Sequence, residues 1–128
     1  MPFHIFVVDD EPVIASSLTA ILKLNGFSAQ YFTTPLDALA ALRSNKPDLL
    51  VSDVAMPGIS GIELAIQVRA LYPSCKVLLF SGHAATVDSL ANAVTNGHDF
   101  RVLQKPVHPR VMLTKIGALA QDNDNLAS

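Results

Sequence analysis

Tryptophan is absent from the 128 residues, and cysteine occurs once, at Cys75. A lone thiol excludes an internal disulfide and fits a reducing compartment, where a free Cys behaves as a small buried residue. The lack of Trp removes the usual intrinsic fluorescence reporter of ligand binding. No apolar stretch approaches the ~20 residues needed to span a bilayer. The amino terminus shows no basic segment followed by an apolar block and a small-residue cleavage site, so no secretory signal is visible. The nine Lys and Arg are scattered from Lys23 to Lys115 without a basic run, and the formal net charge is -2, which argues against direct nucleic-acid binding. Internal repeats and linkers are missing too. The expectation is a cytoplasmic protein with no membrane association. A single domain spans residues 1–121 and a polar tail spans 122–128, frayed or the start of a tether.

What is present is a regular alternation. The apolar runs Phe3 to Val8, Ser28 to Phe32, Leu49 to Ser52, Lys76 to Phe80 and Val102 to Gln104 read as five strands. Helical patterns lie between them. The first runs from Pro12 to Leu24 and stops at Asn25-Gly26. The second opens at Thr34-Pro35, where Thr34 can cap and Asp37 suits the first turn. A third begins near Ser60, spaced from Glu63 as in a capping box, and ends before Pro73. The fourth carries Val87, Leu90, Ala91 and Val94 on one face and ends at Gly97, and the fifth follows Pro109 with Met112, Ile116, Leu119 and Ala120. Strict alternation of strands and helices predicts right-handed crossovers and a doubly wound α/β fold with a five-stranded parallel sheet.

In such a sheet the carboxyl ends of all strands lie on one edge, where ligands bind. The residues delivered there are Asp9 and Asp10, Asp53, Ser81 and Lys105. Three carboxylates brought together repel, each close pair by roughly 4 kcal/mol at an effective dielectric of 20. A hard divalent cation with oxygen ligands, together with the Lys105 ammonium, resolves the conflict, and Mg²⁺ brings phosphate oxygens with it. Each station has a plainer reading when taken alone. Asp9-Asp10-Glu11-Pro12 could be a helix start, since Asp is a favoured N-cap. Ser81-Gly82 could be an ordinary strand-to-turn junction and Lys105-Pro106 a surface loop. Asp53 is harder to dismiss, because it closes a buried run and enters a turn containing Pro57, Gly58 and Gly61. The histidines His4, His83, His98 and His108 have no metal-ligand spacing. His4 is expected to pack in the first strand, and His98 and His108 to lie in loops.

Taken in order, Val7-Val8-Asp9-Asp10-Glu11-Pro12, Leu50-Val51-Ser52-Asp53 through Met56-Pro57-Gly58 and Gly61, Phe80-Ser81-Gly82, and Lys105-Pro106-Val107 closely resemble the receiver domain of two-component response regulators. The resemblance covers about residues 3 to 121. Each fragment is weak, but all of them on the expected elements are specific. The resemblance implies a flavodoxin-like (βα)5 receiver fold with strand order 2-1-3-4-5. It also implies a signalling protein rather than an enzyme, phosphorylated on Asp53 by a sensor histidine kinase or a histidine phosphotransfer protein. Asp10 and Asp53 would ligate Mg²⁺, with Mn²⁺ as a substitute. The Ala55 backbone carbonyl would be a further ligand, and Asp9 would hold a coordinated water. Lys105 and Ser81 would contact phosphoryl oxygens, His83 would flank the phosphoryl group, and Pro106 would be a cis proline. The message would leave through a downstream protein target or a fused output domain, with the regulated surface on the fourth and fifth helices and the last strand.

One position departs from the family's pattern. Three residues before the lysine, where the family often has Tyr or Phe, stands Val102, and Phe100 is displaced from the place of that aromatic. A bulge in the last strand could return Phe100 to a useful location. A muted aromatic switch is therefore expected. Two other classes keep the fold and differ in function. One is an adaptor that binds without phosphorylation. The other is a flavodoxin-like cofactor enzyme, which the acidic Asp9-Asp10-Glu11 turn disfavours because it would repel a phosphate after the first strand.

Overall fold

The structure is a computed structural model that describes residues 3–82 and 100–127, with 122–127 described by backbone alone. The expected fourth helix, its stop at Gly97, and His83 and His98 lie outside the described residues. Five strands, β1 (His4–Val8), β2 (Ser28–Phe32), β3 (Leu49–Asp53), β4 (Lys76–Ser81) and β5 (Arg101–Gln104), form one parallel sheet in the order β2-β1-β3-β4-β5. This is the expected doubly wound α/β sheet, with small changes at the ends: β1 begins at His4, β4 continues to Ser81 and β5 begins at Arg101. Four helices are described, α1 (Pro12–Leu24), α2 (Pro35–Ala41), α3 (Gly61–Leu71) and α4 (Pro109–Ala127).

Alternation along the central strands splits the interior into two layers, because successive side chains point to opposite faces. Phe6, Val8, Leu50 and Leu79 face α2 and α3, where they meet Ala38, Leu42, Leu64 and Val68. Ile5, Val7, Val51, Leu78 and Phe80 face the other way, against Leu22 of α1 and Met112 and Ile116 of α4. Both layers are closed to solvent.

The helix ends follow local chemistry. Thr34 Oγ1 accepts the Asp37 N–H at 3.1 Å and Ser60 Oγ accepts the Glu63 N–H at 3.2 Å, so both expected caps form. At the end of α1, Gly26 takes φ +89°, with its N–H on Lys23 O and the Phe27 N–H on Leu22 O. That pairing is the left-handed helix stop that glycine permits. One expectation is corrected. Neither Asp9 nor Asp10 caps α1: the N-cap is Glu11, and it makes no side-chain capping bond. α4 runs as helix to Ala127. Helix extends cheaply from turns already nucleated, and Met112, Ile116 and Leu119 hold those turns in the core. Among the described residues no helix is long and apolar enough to cross a membrane.

Candidate functional site

Asp53 is the last residue of β3, at the sheet's carboxyl edge between β1 and β4. Its neighbours arrive from both sides. Asp9 leaves β1 directly, with its N–H on Phe32 O of β2, and Asp10 follows it. The carboxylates of Asp9, Asp10 and Asp53 each place an oxygen within 4.8 Å of the others. Asp9 and Asp53 are buried and Asp10 is exposed. Adjacent residues thus have different environments. The Asp9 carboxylate turns back to accept the Glu11 N–H at 2.9 Å, while Asp10 faces solvent.

Lys105 comes from the residue after β5. Its Nζ lies 2.9 Å from Asp53 Oδ2. Its backbone N–H donates to Ser81 O at 2.8 Å, which carries the β4–β5 ladder one step beyond the strand. Ser81 is buried at the end of β4, facing the same edge. The bond between Lys105 and Pro106 is cis, as the resemblance implies.

The electrostatics follow the burial. Asp9 has its carboxyl pushed above the ordinary range, first by desolvation and then by the neighbouring Asp53 and Asp10 charges, against the Glu11 N–H and Lys105. For Lys105, desolvation pulls the ammonium down. The bond to Asp53 and the charges of Asp53, Asp9 and Glu11 outweigh that, so its pKa is raised. The lysine is therefore held charged beside the acidic group.

The donor set fits a hard divalent ion. Three carboxylates supply oxygen, and the buried Asp9 carboxylate accepts the Glu11 N–H. Among the described residues the cluster contains only carboxylates, a donor set that suits a hard divalent cation. Ala55 lies in the exposed loop two residues past Asp53. That loop is anchored where it leaves and re-enters the fold: the Val54 N–H donates to Phe80 O at 3.0 Å and the Gly61 N–H to Val54 O at 2.9 Å.

The displaced aromatic is not returned by a bulge. β4 and β5 pair in unbroken register, Leu78 with Arg101, Leu79 with Val102, Phe80 with Leu103 and Ser81 with Gln104. Val102 stands 36% exposed at this edge strand, whereas Phe100 is 8% exposed in the core layer of α2 and α3. The Arg69 guanidinium sits 5.0 Å from the Phe100 ring centroid, and Arg69 Nε donates to Cys75 O at 3.0 Å.

Sequence reasoning missed two features. A cleft of about 400 Å³ opens beside Asp9 and Lys105, walled by Ile14 and Leu18 of α1, Phe80, Val107 and Met112. The i, i+4 spacing of Ile14 and Leu18 was its only sequence signal. The second is His4. It packs in β1 as expected, but its ring also joins a polar cluster, with Nδ1 2.8 Å from Ser28 Oγ and Nε2 2.9 Å from Gln30 Nε2.

A doubly wound parallel sheet with three carboxylates and a lysine meeting at its carboxyl edge suits a receiver fold better than a dinucleotide site, where the acidic turn would repel a phosphate. The comparisons agree. The family model described as "Response regulator receiver domain" matches residues 5–117. The transcriptional regulatory protein CreB of Escherichia coli K12 is 33% identical over 115 residues, covering 90% of this chain and 49% of that protein. Response regulator MprA of Mycobacterium sp. strain KMS is 30% identical over 119 residues, covering 93% of this chain and 51% of its own. A CheY-like response regulator receiver domain protein from Methanospirillum hungatei superimposes with a TM-score of 0.85 at 28% identity, covering 98% of this chain and 99% of that one. This chain belongs to the response regulator receiver domain family. It spans about half the length of the curated relatives it matches.

Proposed function

We propose that Asp53 is the phosphoryl acceptor of a His–Asp phosphorelay, loaded from the phosphohistidine of a sensor histidine kinase or a histidine phosphotransfer protein. The observation that carries this reading is the buried Asp53 carboxylate held 2.9 Å from the Lys105 ammonium, among Asp9 and Asp10. An Asp53 oxygen attacks phosphorus, the bond from phosphorus to the donor nitrogen breaks, and the electron pair leaves with the imidazole. The product is a mixed anhydride, which a carboxylate forms without a separate base. Lys105 pairs with Asp53 before transfer and with a phosphoryl oxygen after it, and the Ser81 hydroxyl donates to another. Asp9, Asp10, Asp53 and the Ala55 carbonyl would hold Mg²⁺, with Mn²⁺ able to replace it. When bound, the ion offsets the repulsion between an anionic nucleophile and an anionic phosphoryl group.

Inward movement of Ser81 toward the phosphoryl group would alter β5 and α4, which adjoin it, and signalling would proceed by protein binding there. The recipient is a downstream protein or an output domain fused to the receiver. The test uses acetyl phosphate or phosphoramidate with Mg²⁺. Intact-mass spectrometry is expected to show one added phosphoryl group that disappears in Asp53→Ala. Labelling that persists in the variant overturns the assignment.

A further inference from the structure

Ser52 lies one residue before the proposed acceptor and points to the other side of the sheet, into the layer beneath α3. It is 1% exposed, and its hydroxyl donates to the backbone carbonyl of Asp53 at 2.9 Å. The Met56 sulfur stands 4.0 Å from Ser52 Oγ. Gly61, the first residue of α3, closes over this pair. A Cβ at Gly61 would collide with the Asp53 carbonyl oxygen and reach within 3.0 Å of Ser52 Oγ. One buried hydroxyl therefore meets the acceptor's own peptide group and the loop that follows it, where the start of α3 leaves no room for a Cβ.

The peptide plane between Asp53 and Val54 sets the direction in which the chain runs to Ala55. Two backbone bonds hold the loop at its ends, Val54 N–H to Phe80 O and Gly61 N–H to Val54 O. Ser52 adds a side-chain bond on the Asp53 carbonyl itself. We propose that Ser52 is a positioning residue for the divalent-ion site, fixing the Asp53–Val54 peptide so that the Ala55 carbonyl and the Asp53 carboxylate are presented together. The inference rests on the metal reading of the acidic cluster. Ser52 does not touch the ion or the phosphoryl group. It acts through the backbone, as outer-shell partners of metal ligands do.

Ser52→Ala removes only the hydroxyl and keeps the fold's packing. Val68→Ala, cut from a fully buried α3 position in the same layer, serves as a destabilised control. Mg²⁺ affinity of the full chain is measured by calorimetry. Ser52→Ala is expected to weaken it by about tenfold, the lower end of outer-shell effects, while Val68→Ala leaves it unchanged. Wild-type protein that binds no Mg²⁺ overturns the metal reading and this inference with it. Wild-type binding with equal affinity in Ser52→Ala overturns the inference alone. A metal-free readout accompanies it. Amide exchange at Val54 and Gly61 is expected to accelerate in Ser52→Ala while β1 amides keep their wild-type rates; uniform acceleration means a merely structural role and overturns the proposal.

Discussion

Lys105 Nζ and Asp53 Oδ2 meet at 2.9 Å, although 52 positions separate the two residues in the chain. The contact joins the strand at the sheet's centre to the strand at its edge. The Asp53 side chain is 10% exposed and that of Lys105 37%, so the pair lies half in solvent. On the proposed reading of Asp53 as phosphoryl acceptor, its worth is in placing a positive charge where a phosphoryl oxygen would arrive, more than in stability.

Lys105→Met is accordingly expected to slow phosphorylation by acetyl phosphate about 100-fold, the scale of losing one preorganised charge donor. The thermal midpoint should change little. Single-turnover labelling followed by mass spectrometry gives the rate, and a wild-type rate in the variant removes Lys105 from the transfer step.

Asp9 sets a pH dependence whose sign follows from its raised pKa. A carboxyl raised on folding adds stability below its unfolded value of 3.8, and that contribution is lost as pH rises through the folded value. At neutral pH without divalent ions the charged Asp9 is thus a burden. Asp9→Asn should raise the melting temperature there by about 2–5 °C. Its advantage should shrink as pH falls toward 3.8, and Mg²⁺ should stabilise the wild type more than the variant. Calorimetric melting across pH, with and without Mg²⁺, reads both effects.

Two glycines predict opposite outcomes for the same substitution. Gly61→Ala drives a methyl group into the Asp53 carbonyl and should destabilise by about 1–3 kcal/mol. Gly117 lies inside α4 with open space where its Cβ would stand. Gly117→Ala should stabilise by about 0.5–1 kcal/mol through helix propensity. Urea denaturation of the pair is the check.

Phe100 and Val102 divide two duties. Phe100→Ala empties a buried site and should cost about 3–5 kcal/mol. Val102 is stiff about its first torsion and exposed, so it swings no ring between states. Val102→Tyr should enlarge the chemical-shift change that beryllofluoride produces in β5 and α4. Identical perturbations in wild type and variant would rule out an effect of this position on the switch.

Much of this was legible from sequence because the relevant signals are local. Continuous apolar runs marked β1, β3 and β4 to within a residue, and Thr34, Ser60 and Gly26 punctuated helices through bonds that reach only a few residues. The convergence of Asp9, Asp10, Asp53 and Lys105 followed from topology alone. Other features depend on distant partners. The burial of Asp9 against the exposure of Asp10, the stacking of Arg69 on Phe100, and the bond from Tyr72 Oη to Leu42 O at 2.7 Å are set by tertiary approach, which no short window encodes. The helical end of α4 was hidden for a related reason. Its polar residues lack an apolar stripe, and their helix is inherited from the packed turns before them.

The backbone bond from Lys105 N–H to Ser81 O couples two side chains that a designer would like to adjust separately. Hydroxyl and ammonium hang from opposite ends of one peptide rung, so a shift of either strand end carries both groups together. Attempts to retune the lifetime of a phosphorylated state by remodelling the β4 terminus will therefore also re-aim the lysine. The usable handles are the side chains themselves, replaced with the rung intact.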